Sequence, residues 1–153
     1  MSLFAGTTVS NCDPAAYAQI PVALGGAVVV YNLAGINNLK LSANVISAIY
    51  NGKVTYWDDA TIKALNPGVS LPHTAIVVEY RAKSSGTTYA FTDYLAKATA
   101  GKTPAGASGA VMEGTGAKWS ATNVNAVSNN AGMASSVNST VGAIGYLEYS
   151  YVL

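Results

Sequence analysis

One cysteine and one histidine stand in these 153 residues, so the side chains best suited to soft-metal binding and nucleophilic chemistry are nearly missing. Cys12, alone, can form neither an intrachain disulfide nor a cysteine-based metal site. His73 follows Pro72 in a loop with no cysteine or carboxylate at ligand spacing, and reads as a solvated side chain. No Ser/His/Asp set, paired carboxylates or metal cluster stands out, so the sequence indicates neither an enzyme nor a cofactor. Charge is scarce as well: eight basic and seven acidic residues make up 10% of the chain and leave a net charge of +1. Soluble domains usually carry about a quarter charged residues. The surface must therefore be built from Ser, Thr, Asn, Gly and Tyr, which suits an extracytoplasmic protein.

Without a basic run or stripe there is nothing to track a nucleic-acid backbone. A single small anion is a different matter, because neutral dipoles aimed at one spot, with one Arg, hold an oxyanion without raising the net charge. Long apolar runs are also missing. The longest candidate, 22–30, is too short to span a bilayer and is interrupted by Gly25 and Gly26. Residues 1–11 contain no charged n-region and no apolar h-region, so no signal segment is legible and a lipid anchor on Cys12 is not indicated. Internal repeats are absent, and the one low-complexity stretch is the Ala/Gly/Thr/Ser-rich 98–116, which reads as a long surface loop pinned by Trp119.

The stretch 75–97 is the most informative. It begins as a β-branched run, turns at Ser84, Ser85 and Gly86, and continues with Phe91, Tyr94, Leu95 and Ala98 at helical spacing. Strand, loop and helix in that order make an anion site: the first helical amides lack intrahelical partners and carry the positive end of the macrodipole. Ser85, Thr87 and Thr88 add hydroxyls, Gly86 permits close approach of a ligand to the backbone, and Arg81 supplies a planar, bidentate cation suited to a tetrahedral oxyanion. The same residues also describe an ordinary Ser-capped helix after a strand, with Arg81 solvated.

Around that stretch, the pattern predicts a short helix opened by Asp13 and Pro14, then an apolar strand over 27–32 buried on both faces, and a short edge strand over 39–41. Ser42 caps a helix whose inward stripe is Val45, Ile46, Ile49 and Tyr50, stopped by Asn51 and Gly52. Asp58 is expected to cap the next short helix, with Ile62 and Leu65 inward and Asn66, Pro67 and Gly68 ending it. Trp57 reads as a hydrophobic staple on that helix or as a ligand-stacking platform. Asn130 is expected to cap a helix with Met133 and Val137 inward. Residues 142–146 read as a buried strand, and 147–153 as the start of a helix. Strands alternating with helices give an α/β fold, a three-layer sandwich with a mostly parallel mixed sheet.

The run R-A-K-S-S-G-T at 81–87, with Y-A-F-T-D-Y-L at 89–95, resembles the R-x-D-x-S-G-T loop and helix of the phosphate-binding proteins of Pst-type ABC transporters. Four further blocks fit that family in order: 21–26, 49–53 with 57–59, 65–68, and 142–149. The segment 126–137 resembles its G-x-x-G-N-D-G-I-A-A-x-V turn and helix, which is not where the family places its main phosphate contacts. The resemblance implies one lobe of a type II periplasmic-binding-protein-like fold, with 1–20 as a crossover remnant of the first lobe and 21–153 as the second. Most of the first lobe has no counterpart before Phe4, so the site is expected to be a half-site.

By the same resemblance, phosphate contacts fall on Arg81, Ser85, Gly86 and Thr87, with Thr7 and Thr8 matching a Ser-Asp pair. Thr8 replaces an Asp that accepts a proton-bearing phosphate oxygen. A hydroxyl can donate as well as accept, so selection of phosphate over sulfate should weaken. Lys83 replaces an Asp that orients the neighbouring Arg, and is expected to repel Arg81, freeing it for ligand or adding a second cation. The implied partners are inorganic phosphate or a similar oxyanion and the membrane permease of the transporter. Two alternatives stand beside this reading. One is a phosphatase relative. The other is an interaction or structural protein that kept the lobe without the ligand, whose docking face would be apolar or paired with a second copy as a homodimer.

Overall fold

The strand that organises the sheet is apolar from Ala143 to Leu147 because helices cover both of its faces. Numbered in chain order, the strands are β1 (Ala27–Tyr31), β2 (Val77–Arg81), β3 (Val124–Val127) and this one, β4 (Ala143–Glu148). They form one sheet of order β1-β4-β2-β3. β2 runs parallel to both β3 and β4, whereas β1 is antiparallel to β4, with Ala27 opposite Glu148 and Tyr31 opposite Ile144. The computed structural model describes residues 23–99, 116 and 119–152. The expected remnant over 1–20, including the helix opened by Asp13, lies outside them, as does nearly all of the loop expected over 98–116.

Helices α1 (Ala43–Tyr50), α2 (Ala60–Leu65) and α3 (Gly86–Ala98) share one core with the sheet, built on Ile49, Tyr50, Phe91, Leu95, Ile144 and Tyr146. Helix α4 (Asn130–Ser139) covers the other face, where Met133 and Val137 meet Ala143 and Leu147. The three-layer α/β sandwich and its mostly parallel mixed sheet are thus those expected. On α1 the stripe forms as read, capped by Ser42, whose hydroxyl accepts from the Val45 amide at 3.3 Å, and stopped by Gly52 at φ +69°.

Several elements differ from the pattern, each because a neighbour outvotes it. β1 lies at the sheet edge and is only partly buried, although its run of Val reads as a central strand. Residues 39–41 form no strand; the amide and carbonyl of Lys40 bond to the Asn66 side chain instead, at 2.7 and 2.9 Å. Asp59, not Asp58, caps α2, accepting from the Thr61 amide at 2.8 Å. Likewise Asn129, not Asn130, caps α4, accepting from the Gly132 amide at 2.7 Å. The buried stripe of α3 is Thr88, Phe91, Thr92, Leu95 and Ala96, which leaves Tyr94 and Ala98 exposed. Finally, β4 continues to Glu148, and only the short 3-10 turn Tyr149–Tyr151 follows it.

Trp57 is fully buried against Tyr31, and its indole donates to the Gly142 carbonyl at 2.8 Å, so it is core rather than a ligand platform. Trp119 docks edge-on against Tyr50, ring centroids 4.6 Å apart, while Phe91 stacks on Tyr146 at 4.3 Å. These aromatics fill the α1/α3 side of β4.

The α4 side needs the opposite: no side chain at all at residue 145. A Cβ on Gly145 would stand 2.6 Å from Met133 Sδ and 2.9 Å from Val137 Cγ2. Gly145→Val should therefore lift α4 from the sheet and cost about 2 kcal/mol, in the usual range for overpacking. Urea unfolding should show this as a lower midpoint at unchanged slope; a midpoint equal to wild type would contradict this packing.

Candidate oxyanion site

Parallel β2 and β3 end on the same side of the sheet, and a helix begins shortly after each: α3 after β2, α4 after β3. In an open sheet this carboxyl end is where ligands bind. Arg81 is the last residue of β2, and Ser85 is the N-cap of α3. The Ser85 hydroxyl accepts from the Thr88 amide at 3.4 Å and its carbonyl accepts from the Tyr89 amide at 3.0 Å. The amides of Gly86 and Thr87 are then the orphan donors of the first turn. Gly86 is exposed, and a Cβ there would have nothing within 4 Å, so the backbone is open to an approaching ligand. The Ser85 hydroxyl still has its own proton to donate. The geometry can offer an oxyanion backbone N–H groups at the positive end of a 13-residue helix, with one hydroxyl beside them.

One phenol ties this turn to the strand. Tyr146 Oη lies 2.8 Å from Thr88 Oγ1 and accepts from the Arg81 amide at 3.4 Å. Thr88 is therefore buried and spent on the scaffold, not on a ligand as its spacing suggested. Thr87 is half-buried in the same turn. The Arg81 guanidinium reaches the other helix: Nη1 donates to Asn130 Oδ1 at 3.1 Å and Nη2 to the Ser128 carbonyl at 3.2 Å. Its Nε is buried without a partner among the described residues. Lys83 is exposed. Among the described residues, neither Arg81 nor Lys83 makes an ion pair.

Thr7 and Thr8 lie outside the described residues. The expected site residues Arg81, Ser85, Gly86 and Thr87 thus occupy one strand end and the helix start that follows it. Tyr146, Ser128 and Asn130 join them from distant parts of the chain, and were missed. The alternation of Ile144 and Tyr146 on β4 was the one local hint that a phenol faces α3.

His73 is exposed, but it is not without a carboxylate. Its Nδ1 lies 3.0 Å from Asp58, its ring stacks on Tyr56 at 4.4 Å, and Lys63 sits 3.3 Å from the same Asp58. The hydrogen bond with His73, and secondarily Lys63, holds the Asp58 carboxyl below its ordinary value. The sequence expected no partner for His73 because Asp58 stands 15 positions away. Among the described residues no group of three His, Cys, Asp or Glu side chains could hold a metal, and no helix is long and apolar enough to cross a membrane.

A family model for a PBP superfamily domain matches residues 10–153. The chain is 39% identical over 146 residues to the phosphate-binding protein PstS of Xylella fastidiosa strain Temecula1, covering 94% of this chain and 38% of that protein. It is 38% identical over 145 residues to the phosphate-binding protein PstS of Methanocaldococcus jannaschii, covering 88% of this chain and 35% of that protein. This chain thus spans well under half the length of the relatives it matches. Among solved structures, a high affinity periplasmic phosphate-binding protein, PfluDING, superposes with a TM-score of 0.66 at 23% identity over 84% of this chain and 33% of its own. A phosphate-binding protein from Stenotrophomonas maltophilia does so with a TM-score of 0.59 at 23% identity, over 81% and 35%. These two superpositions establish likeness of fold.

Burial raises the ionisation of Tyr146 above its ordinary 10.0, against the opposing bonds from Thr88 and the Arg81 amide. Burial, reinforced by Tyr146 and Glu79, drives Tyr50 well above the same value. Both groups are thus harder to ionise folded than unfolded, so the stability they confer is complete below about pH 10 and is lost as pH rises beyond it. The melting temperature should fall between about pH 9 and about pH 11, with Tyr50 and Tyr146 withheld from tyrosinate absorbance until the chain unfolds. Tyr146→Phe should remove one withheld tyrosine and cost about 1 kcal/mol. Titration of Tyr50 and Tyr146 at about pH 10 in the folded chain, seen as no loss of late-titrating absorbance in Tyr146→Phe, would refute the buried placement.

Proposed function

Given that the chain belongs to the PBP superfamily, with phosphate-binding proteins as its relatives, we propose that it binds inorganic phosphate as part of the solute-binding component of a phosphate ABC transporter. One observation carries the reading: Arg81 closes a parallel strand and is followed at once by a helix start whose Gly86 and Thr87 amides are unspent. Arg81 would attract and orient the anion. The Gly86 and Thr87 amides would bind its oxygens, the Ser85 hydroxyl would donate one more bond, and Gly86 would keep the approach open. By the family resemblance, Thr7 and Thr8 would add hydroxyls to the same anion.

In this role the protein works outside the cytoplasm and hands its ligand to a membrane permease. The low charge content agrees with that: the site gathers positive potential from oriented amides and one guanidinium, without a basic surface. Binding, without chemistry on the ligand, is the function proposed.

Calorimetric titration of this chain with phosphate, then sulfate, tests the proposal. Saturable binding is expected with Kd on the order of 1 mM or tighter, about −4 kcal/mol or better. Sulfate should bind within about tenfold of phosphate, because Thr8 offers no carboxylate acceptor. Arg81→Ala should abolish both signals while the melting curve remains cooperative. Titration to saturating phosphate without heat or a rise in melting temperature would sink the proposal.

A further inference from the structure

Arg81 is held at the start of α4 in a way that electrostatics alone disfavours. A helix N-terminus carries partial positive charge, so a guanidinium there is repelled rather than attracted. What draws it in is a pair of neutral acceptors, Asn130 Oδ1 at 3.1 Å and the Ser128 carbonyl at 3.2 Å. Both are fixed by the capped turn, in which the Asn129 side chain accepts from the Gly132 amide at 2.7 Å. The described carboxylate nearest along this strand face, Glu79, is fully buried and bonded elsewhere, to Asn125 at 3.0 Å and Ser136 at 2.9 Å. The guanidinium therefore has two of its five N–H donors occupied, and no described carboxylate pairs with it.

We propose that Asn130 is the positioning residue of Arg81, and that its neutrality keeps the full guanidinium charge for a doubly charged tetrahedral oxyanion. The family resemblance pointed to position 83 for the group that orients Arg81, and there Lys83 is exposed and of the wrong sign. Asn130 does the orienting from the opposite helix. A carboxylate in the same place would fix the guanidinium equally well but cancel its charge, which weakens attraction for a dianion more than for a monoanion. Aligning the fork in advance also spares the anion the cost of ordering a long side chain on binding.

The proposal rests on the phosphate-binding reading for its ligand, so the test carries one readout that needs no ligand. In the full chain labelled with nitrogen-15, the Arg81 Nε–H resonance, assigned by its loss in Arg81→Ala, should be sharp and slow to exchange. Asn130→Ala should broaden it and raise the Kd for both phosphate and sulfate about tenfold. Asn130→Asp should keep the resonance sharp yet raise the Kd for sulfate about tenfold, with a smaller rise for phosphate, which is partly monoanionic near neutral pH. Asp59→Ala is the control: it removes the α2 cap and lowers the melting temperature without touching Arg81 or the turn that holds its acceptors, so its Kd should stay within about twofold of wild type. An unchanged resonance in Asn130→Ala overturns the positioning role. Unchanged sulfate affinity in Asn130→Asp overturns the charge argument. A wild-type chain that binds neither anion, while Asn130→Ala still loses the resonance, sinks the phosphate reading and the charge argument, and upholds the positioning role.

Discussion

Everything at the carboxyl end of the sheet depends on how β4 is packed. Its Gly145 is bare on one face, letting Met133 and Val137 of α4 come down onto the backbone. Tyr146, on the other face, fills the space beneath Phe91 and reaches Thr88 with its hydroxyl. One helix is drawn close and the other is held off by an aromatic ring, within two consecutive residues. Because side chains on a strand alternate faces, this small-then-large pair sets the distance of both helices from the sheet at once. Gly142 sharpens the constraint at the start of the strand, where φ of +81° and the Ala75 carbonyl, 2.5 Å from where a Cβ would sit, leave room only for glycine.

The two helix starts inherit their placement from that packing. α3 is located by Thr88 on Tyr146, α4 by its buried Met133 and Val137, and Arg81 spans between them by its amide on one side and its guanidinium on the other. Positive potential accumulates there from dipoles and a single side chain. A protein of net charge +1 can thus present an attractive spot without a basic run in its sequence. Among the described residues, Lys63 pairs with Asp58 and Lys97 with Asp93, so these charges are offset locally.

The errors of the sequence reading share a cause. Asp58 and Asp59, or Asn129 and Asn130, are equally good caps by residue type, and the choice falls to the neighbour that claims the other one: His73 and Lys63 take Asp58, Arg81 takes Asn130. The valines of β1 look like a central strand because a β-branched run carries no information about how many strands will flank it. Phe91, Tyr94, Leu95 and Ala98 marked α3 by their spacing, yet the helix is turned so that Tyr94 and Ala98 are exposed while Thr88 and Thr92 face the sheet, satisfied by Tyr146 and by the carbonyls of α3 itself.

By itself the sequence determined what is local: the strand, turn and helix over 77–98, the Ser85 cap, the open glycine at 86, and the cation that ends the strand. These follow from interactions within a few residues, and such interactions can be read from order alone. Only the tertiary structure decided where that cation points and what holds it. The contacts that do so, Arg81 with Asn130 and Tyr146 with Thr88, join residues 49 and 58 positions apart. No periodicity records such a pairing; it exists only once Gly145 and Tyr146 have set the two helices at their separate distances from one sheet.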